Sequence, residues 1–268
     1  EISNTNKTVK VTFPDNVTEA GDMVAEFTLS DGATATVGNR LQVSGVSSNN
    51  YEMPFVYHVE SEDMSNVLEW QIISKNNSFT LSWGLGGFQN HSAANNRPYD
   101  WYLDQASTGT YSSINCGPTS TTMAAKWSLS TFSKTPEDAR GAYRPEGGWW
   151  YTSDINNYLT DNGIPHGYVA LYTATDLTAG IITGAIDEGY ILILCVDMYY
   201  IRNETNPDFR VDKFYTADTQ GWGHFIIVKG YRVVENNLFF EIYDPNNYSR
   251  RYSDSSIKGK DRYYRAED

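Results

Sequence analysis

Ser113-Ile114-Asn115-Cys116-Gly117-Pro118-Thr119-Ser120 is the stretch on which the rest of the sequence turns. Gly117 and Pro118 punctuate the start of a run, Thr119 to Leu129, that contains no breaker and carries Met123, Ala124, Ala125 and Trp127. The pattern predicts a helix over Gly117 to Leu129. Pro is tolerated in a first helical turn, where its missing N–H has no helical partner to lose. Cys116 therefore stands at a helix mouth, facing unpaired backbone N–H groups and the positive end of the helix dipole. Both favour thiolate over thiol, and so favour nucleophilic chemistry. A small packed cysteine capping a helix is the competing reading, and only residues elsewhere in the chain separate the two.

The chain has 268 residues, enough for one large domain or two ordinary ones. With 40% hydrophobic residues it is globular. Its 33 acidic against 20 basic residues give a net charge of -13, which argues against non-specific binding to nucleic acid or to an anionic membrane surface. The 20 Tyr and 7 Trp suit strand-rich structure and peptide or sugar clefts equally. No apolar run approaches a membrane span, no signal peptide is present, and the chain opens at Glu1 without Met. A mature or trimmed form, secreted or on the cell surface, is the expectation. No group of His, Cys and carboxylate has ligand-like spacing, so neither metal nor cofactor is expected.

Upstream of the cysteine, short β-type segments are expected at Thr8 to Phe13, Val24 to Leu29, Ala33 to Val37, Arg40 to Val43, Pro54 to Val59, Val67 to Ile73 and Ser78 to Trp83. Turn signals such as Ser30-Asp31-Gly32 separate them. The spacing predicts a β-sandwich-like module over residues 1–90, accessory in function. Its lone His58 reads as structural. The polar, breaker-rich passage from Gly84 to Pro98, with His91 as a solvated loop residue, is the expected boundary.

From residue 91 to 268 the texture is that of an α+β domain. Helices are expected at Gly117 to Leu129, Pro136 to Ala142, Thr152 to Thr160 and Thr175 to Glu188. Strands are expected at Tyr190 to Met198, Phe225 to Val234, Leu238 to Tyr243 and Tyr248 to Tyr252. The second cysteine, Cys195, lies in the continuous apolar run Ile191-Leu192-Ile193-Leu194-Cys195-Val196, which reads as a fully buried strand holding an inert thiol.

A cysteine nucleophile needs a base within reach and a third group to orient that base. Of the four histidines, His166 falls in a connector, whereas His224 opens a strand beneath glycines in Gly221-Trp222-Gly223-His224-Phe225-Ile226-Ile227-Val228. Asp244 ends Leu238-Phe239-Phe240-Glu241-Ile242-Tyr243-Asp244. By period two it shares a face with Leu238, Phe240 and Ile242, a costly place for a carboxylate without a partner. A tight turn at Asn236-Asn237 would set Asp244 opposite Lys229. A contact between Asp244 and His224 then requires a wider turn, a bulge such as Gly230 could supply, or strong sheet coiling. Gln105, upstream of Cys116, reads on spacing either as a solvated loop residue or as an amide for an oxyanion hole shared with the backbone N–H of Cys116.

Gln105, then Asn115-Cys116-Gly117-Pro118-Thr119-Ser120, then Gly223-His224-Phe225, then Tyr243-Asp244-Pro245-Asn246 resemble, in this order, the motifs of papain-like cysteine peptidases of the bacteriocin-leader-processing type. More closely, the chain resembles the stand-alone bacterial peptidases similar to that branch, over about Trp101 to Tyr252. The resemblance implies a papain-like fold with Cys116 as nucleophile, His224 as general base, Asp244 as orienting residue and Gln105 as oxyanion donor. It also implies a peptide or protein substrate. The segment between Gln105 and Cys116 is longer than in the family, and nothing like the transporter that accompanies the processing enzymes is present, so double-glycine leader cleavage does not carry over. An amidase or transpeptidase acting on cell-wall peptides, or a silent surface-binding protein, are the alternatives.

Overall fold

The computed structural model describes residues 1–268 except 15, 18–19, 53, 76–84, 86–88, 171–175, 204–209, 212, 214–216 and 253–254. Two compact units emerge: Glu1–Ser92 with Arg232–Asn237, and Ala93–Tyr231 with Leu238–Asp268. The architecture is mixed α+β.

In the first unit the strands are β1 (Ile2–Ser3), β2 (Thr8–Thr12), β3 (Met23–Val24), β4 (Thr34–Val37), β5 (Arg40–Leu41), β6 (Ser48–Asn49), β7 (Phe55–Glu60) and β8 (Val67–Lys75). Six of them form one sheet in the order β1-β2-β8-β7-β4-β5, and β3 pairs with β6 in a separate ribbon. The alternation of Thr8-Val9-Lys10-Val11-Thr12 turns Val9 and Val11 onto a core of Ala20, Ala35, Tyr51, Tyr57 and Ile72. β2 runs parallel to β8, with Thr8 opposite Gln71.

The segment expected as a strand from Val24 to Leu29 pairs only at Met23–Val24. Ala25, Phe27 and Leu29 still pack on the core, but the N–H of Phe27 donates to Ser44 Oγ at 2.8 Å rather than to a neighbouring strand. Alternation there reports burial, not ladder pairing. The expected strand from Ser78 to Trp83 lies outside the described residues.

The passage expected to be a loop instead contains β9 (Gln89–Ala94), which carries an exposed His91. Its end comes so close to Gly230 that a Cβ there would lie 2.5 Å from the Ala93 carbonyl oxygen. A missing side chain on a distant strand thus admits backbone that local sequence reads as breaker-rich.

The helices of the second unit are α1 (Cys116–Ser128), α2 (Pro136–Ala142), α3 (Thr152–Asp161) and α4 (Asp176–Asp187). Short 3₁₀ turns at Gln105–Ser107 and Ser112–Ile114 precede α1. Thr135 and Asp138 form a reciprocal capping box on α2. α1 is buried along most of its length although Thr119, Ser120, Thr121 and Thr122 are polar. Each hydroxyl has an acceptor: Thr119, Thr121 and Thr122 donate to the carbonyls of Asn115, Gly117 and Pro118 at 2.6, 2.8 and 2.8 Å. Ser120 Oγ donates outward, to the Phe225 carbonyl at 3.0 Å. Satisfied hydroxyls remove the burial penalty, which lets a polar helix run through the core.

The strands that follow are β10 (Leu192–Asp197), β11 (Gly223–Val234), β12 (Asn237–Tyr243) and β13 (Lys260–Arg265), neighbours in that order in one sheet. β10 and β11 are antiparallel, with Cys195 opposite Phe225 and Val196 opposite His224. β10 ends this sequence of strands, and its residues are half-buried or exposed rather than fully buried. Tyr248 to Tyr252, expected as a strand, forms a turn with an isolated bridge at Arg251. Besides β11, β12 pairs with β13, farther along the chain. Trp101 stacks on Tyr243 at 4.3 Å between ring centres, beside Met123 of α1 and Ile227 of β11.

Candidate active site

α1 begins at Cys116 itself, with Asn115 as its N-cap residue. The thiol is free and 6% exposed. Gly117 is needed by close approach: a Cβ there would lie 2.6 Å from Cβ of Trp150. That contact seats the first turn of α1 under Trp150 and against Phe225. The Ser120 bond to the Phe225 carbonyl then ties α1 to β11 one residue beyond His224.

His224 and Asp244 are both buried, and Nε2 of His224 lies 2.7 Å from Oδ1 of Asp244. A carboxylate accepts only, so Nε2 carries the proton, which leaves Nδ1 for the hydrogen bond that His224 makes with the Cys116 thiol. The turn of the hairpin is tight, not the wider one that contact between Asp244 and His224 was expected to require. Glu235 and Asn236 both have positive φ, 48° and 71°, so the two-residue turn forms one position earlier than Asn236-Asn237. An irregularity in the β12–β13 pairing at Ile242/Tyr243 follows at the end of β12.

Asp244 is fully buried and its carboxylate is satisfied from several sides. Oδ1 also accepts from the backbone N–H of Asn246 at 2.8 Å; Oδ2 accepts from the Tyr264 hydroxyl at 2.8 Å and from Arg262 Nη1 at 3.4 Å. Its backbone is fixed as well, through its N–H to the Gly259 carbonyl at 2.8 Å and its carbonyl to the Tyr102 hydroxyl at 2.9 Å. A Cβ on Gly259 would lie 2.4 Å from the Asp244 carbonyl oxygen, so only glycine fits there. Arg262 and Tyr264 share one face of β13 by period two. That spacing in Lys260-Asp261-Arg262-Tyr263-Tyr264-Arg265 was the one sequence signal for them.

The electrostatics follow from these contacts. Burial pulls the Cys116 thiol up, but the hydrogen bond and charge of His224, with the backbone N–H groups of Phe225 and Gly117, outweigh it and hold the thiol below its ordinary value. Burial pulls His224 down, but Asp244 and then Cys116 hold it above the usual imidazole range. Burial raises Asp244, yet His224, Arg262 and the Asn246 N–H hold it well below the usual carboxylate range. Together these favour a Cys116 thiolate facing a His224 imidazolium.

Gln105 is buried in the 3₁₀ turn. Its backbone N–H donates to the Pro245 carbonyl at 2.8 Å, and its side-chain Nε2 donates to the Ser112 carbonyl at 3.0 Å. The structure thus brings Cys116, His224 and Asp244 together, while the Gln105 amide has one hydrogen committed to the loop before the nucleophile. Of the other histidines, His58 pairs with Glu69 at 3.3 Å, and His166 binds the Ile164 carbonyl and Asn156. Cys195 is not the buried thiol expected of its apolar run: it is exposed, because β10 lies at the end of the sheet's strand order. A Cβ on Gly223 would sit 3.9 Å from its sulfur. Among the described residues no cluster of three His, Cys, Asp or Glu side chains is placed to hold a metal ion. No family model and no curated protein matches the sequence, and no solved structure matches the fold.

Proposed function

We propose that the unit formed by residues 93–231 and 238–268 is a papain-like cysteine peptidase, and that the β-rich unit, a six-stranded sheet with a two-stranded ribbon rather than the two-sheet sandwich expected, is an accessory module of a secreted or surface-borne bacterial protein. The observation that carries this reading is the line from a helix-mouth thiol, through His224, to a fully buried Asp244. Exposed Trp149 and Trp222, neighbours in sequence of Trp150 and Gly223, offer apolar surface for an extended peptide.

In this reading the Cys116 thiolate attacks a peptide carbonyl carbon and forms a C–S bond, and the carbonyl π pair moves onto oxygen. The oxyanion is met by backbone N–H groups at the start of α1 and by the remaining Nε2 hydrogen of Gln105. Collapse breaks the C–N bond while the imidazolium of His224 gives its proton to the leaving amine. A water then attacks the thioester, and neutral His224 takes its proton. The C–S bond breaks, the acid departs, and the thiolate–imidazolium pair is restored. Asp244 keeps the His224 ring in the tautomer that presents Nδ1 to sulfur.

The test is labelling with iodoacetamide at near-neutral pH, mapped by mass spectrometry. Cys116 is expected to react ahead of Cys195 and to lose that advantage in His224→Ala. Equal, slow labelling of both cysteines in the unaltered protein would sink the proposal. New peptide termini in a denatured protein substrate, absent with Cys116→Ala, supply the activity readout.

A further inference from the structure

One buried charge near the thiol has no part in the chemistry above. Arg140, on α2, is 5% exposed. Its guanidinium donates from Nε to Oδ1 of Asn115 at 2.8 Å and from Nη2 to the Ile114 carbonyl at 3.2 Å. Nη1 donates to the carbonyls of Gly148 at 2.9 Å and Arg144 at 3.4 Å. All four acceptors are neutral. The carboxylate of Asp154, which also favours the charge, is bridged to Arg144 at 2.7 Å. A guanidinium kept from water without a carboxylate bonded to it costs free energy that neutral acceptors offset only in part.

Two of those acceptors, Ile114 and Asn115, are the residues immediately in front of Cys116. Asn115 is fully buried and passes the connection on. Its Nδ2 donates to the Thr108 carbonyl and hydroxyl, both at 3.0 Å, and the Thr108 hydroxyl donates to the Gln105 carbonyl at 2.6 Å. A single chain of bonds therefore runs from Arg140 through Asn115 and Thr108 to the Gln105 turn, with the nucleophile next to its midpoint. We infer that Arg140 is a positioning residue for the nucleophile: its planar fork fixes the approach to Cys116 and the Gln105 turn, and its charge supports the thiolate. Burial draws the guanidinium below its usual value, and Cys116 is the foremost charge opposing that.

This inference rests on Cys116 being the nucleophile, so its test carries a control for that reading. The full chain is alkylated with iodoacetamide across pH, and the midpoint for Cys116 is compared in wild type, Arg140→Gln, Arg140→Lys and His224→Ala. Gln keeps a donor for Asn115 but removes the charge, and its midpoint is expected to rise by about one pH unit. Lys keeps the charge but loses the fork. Its midpoint is expected to stay within about 0.3 unit of wild type, while kcat/KM on a peptide falls about tenfold or more. An unshifted midpoint in folded Arg140→Gln, or undiminished kcat/KM in Arg140→Lys, overturns the inference. Should Arg140→Gln not fold, the Lys variant decides. If His224→Ala leaves Cys116 labelling unchanged, the peptidase reading itself fails; if His224→Ala responds and the Arg140 variants do not, only this inference fails.

Discussion

The mouth of α1 and the middle of β10 each present one cysteine, and the two are tuned in opposite directions. Cys116 is nearly inaccessible, which alone would raise its pKa, yet its thiol is held below the ordinary value. Cys195 is exposed, yet partial desolvation of its sulfur, then the charges of Cys116 and Asp197, hold it above that value. Under the proposed reading, exposure therefore does not select the nucleophile. Donors and a cation aimed at the sulfur do, and burial strengthens them by excluding water.

The largest break in this contrast comes from removing the favoured sulfur. Cys116→Ala is expected to lower peptide hydrolysis by about 10⁴-fold or more, to the level of binding and oxyanion contacts alone. Cleavage that survives at the wild-type rate in a peptide assay would transfer the chemistry elsewhere. Next comes His224→Ala, which leaves both cysteines in place but removes the base and the cation. Hydrolysis should fall by about 10²- to 10⁴-fold, and the labelling rates of Cys116 and Cys195 at neutral pH should converge. Asp244→Ala acts on the fold as well, because it leaves Arg262 buried without its carboxylate. A loss of about 3–5 kcal/mol in chemical denaturation is expected. A wild-type midpoint and slope in urea would show that the Arg262 charge is satisfied without Asp244.

The same contrast has a pH signature. Alkylation of Cys116 should rise through a midpoint below about 9, and that of Cys195 through one above it, a tenfold change for each unit of pH on the acidic side. In the proposed mechanism hydrolysis needs thiolate and imidazolium together, so it is expected to fall below the lowered thiol value and again above the raised imidazole value. For stability the signs follow separately. The His224 contribution is complete below about pH 6.5 and is lost as pH rises through its raised folded value. The Asp244 contribution is present above about pH 3.9 and is lost as pH falls through its depressed one. A single labelling midpoint shared by both thiols would erase the distinction.

How much of this was legible in the sequence varies with how local the cause is. The start of α1 was readable because Cys116-Gly117-Pro118 and the breaker-free run behind it act within one turn. His224 and Asp244 were readable as a strand-opening His and a carboxylate on an apolar face, and only their register was left open. Glu235-Asn236 forms the turn through two left-handed residues, one position before the Asn236-Asn237 that local turn chemistry favours, which moves Asp244 toward His224 without setting the two opposite each other. What stayed hidden depends on distant partners. β9 exists where Gly230 makes room, Cys195 is exposed because its strand ends the order, and Arg262 is buried because Asp244 receives it. A segment as charged as Lys260-Asp261-Arg262-Tyr263-Tyr264-Arg265 shows no apolar alternation to announce a strand.

Tyr264 sharpens the comparison at its finest grain. Its hydroxyl is buried and gives Oδ2 of Asp244 a bond at 2.8 Å, while Oδ1 serves His224 and the Asn246 N–H. Burial and the charge of Asp244 push the Tyr264 hydroxyl well above its usual value, so it stays a donor throughout the working range. Tyr264→Phe removes that donor, together with the acceptor the hydroxyl gives Arg262 Nη1 at 3.4 Å, and keeps the ring. Arg262 Nη1, 3.4 Å away, still faces the same oxygen. The expected cost is about 1–2 kcal/mol in folding free energy, as for a hydrogen bond to a charged group with a second donor at hand. A carboxylate with fewer donors holds its proton more readily and supports imidazolium less. The thiolate opposite loses part of its counter-charge, and the Cys116 labelling midpoint should move upward by a few tenths of a pH unit at most. Cys195 has no contact with Tyr264 in this chain of effects, so its midpoint should stay where it is. Equal movement of both midpoints would mean that Tyr264 acts on the fold as a whole rather than on the buried end of the site.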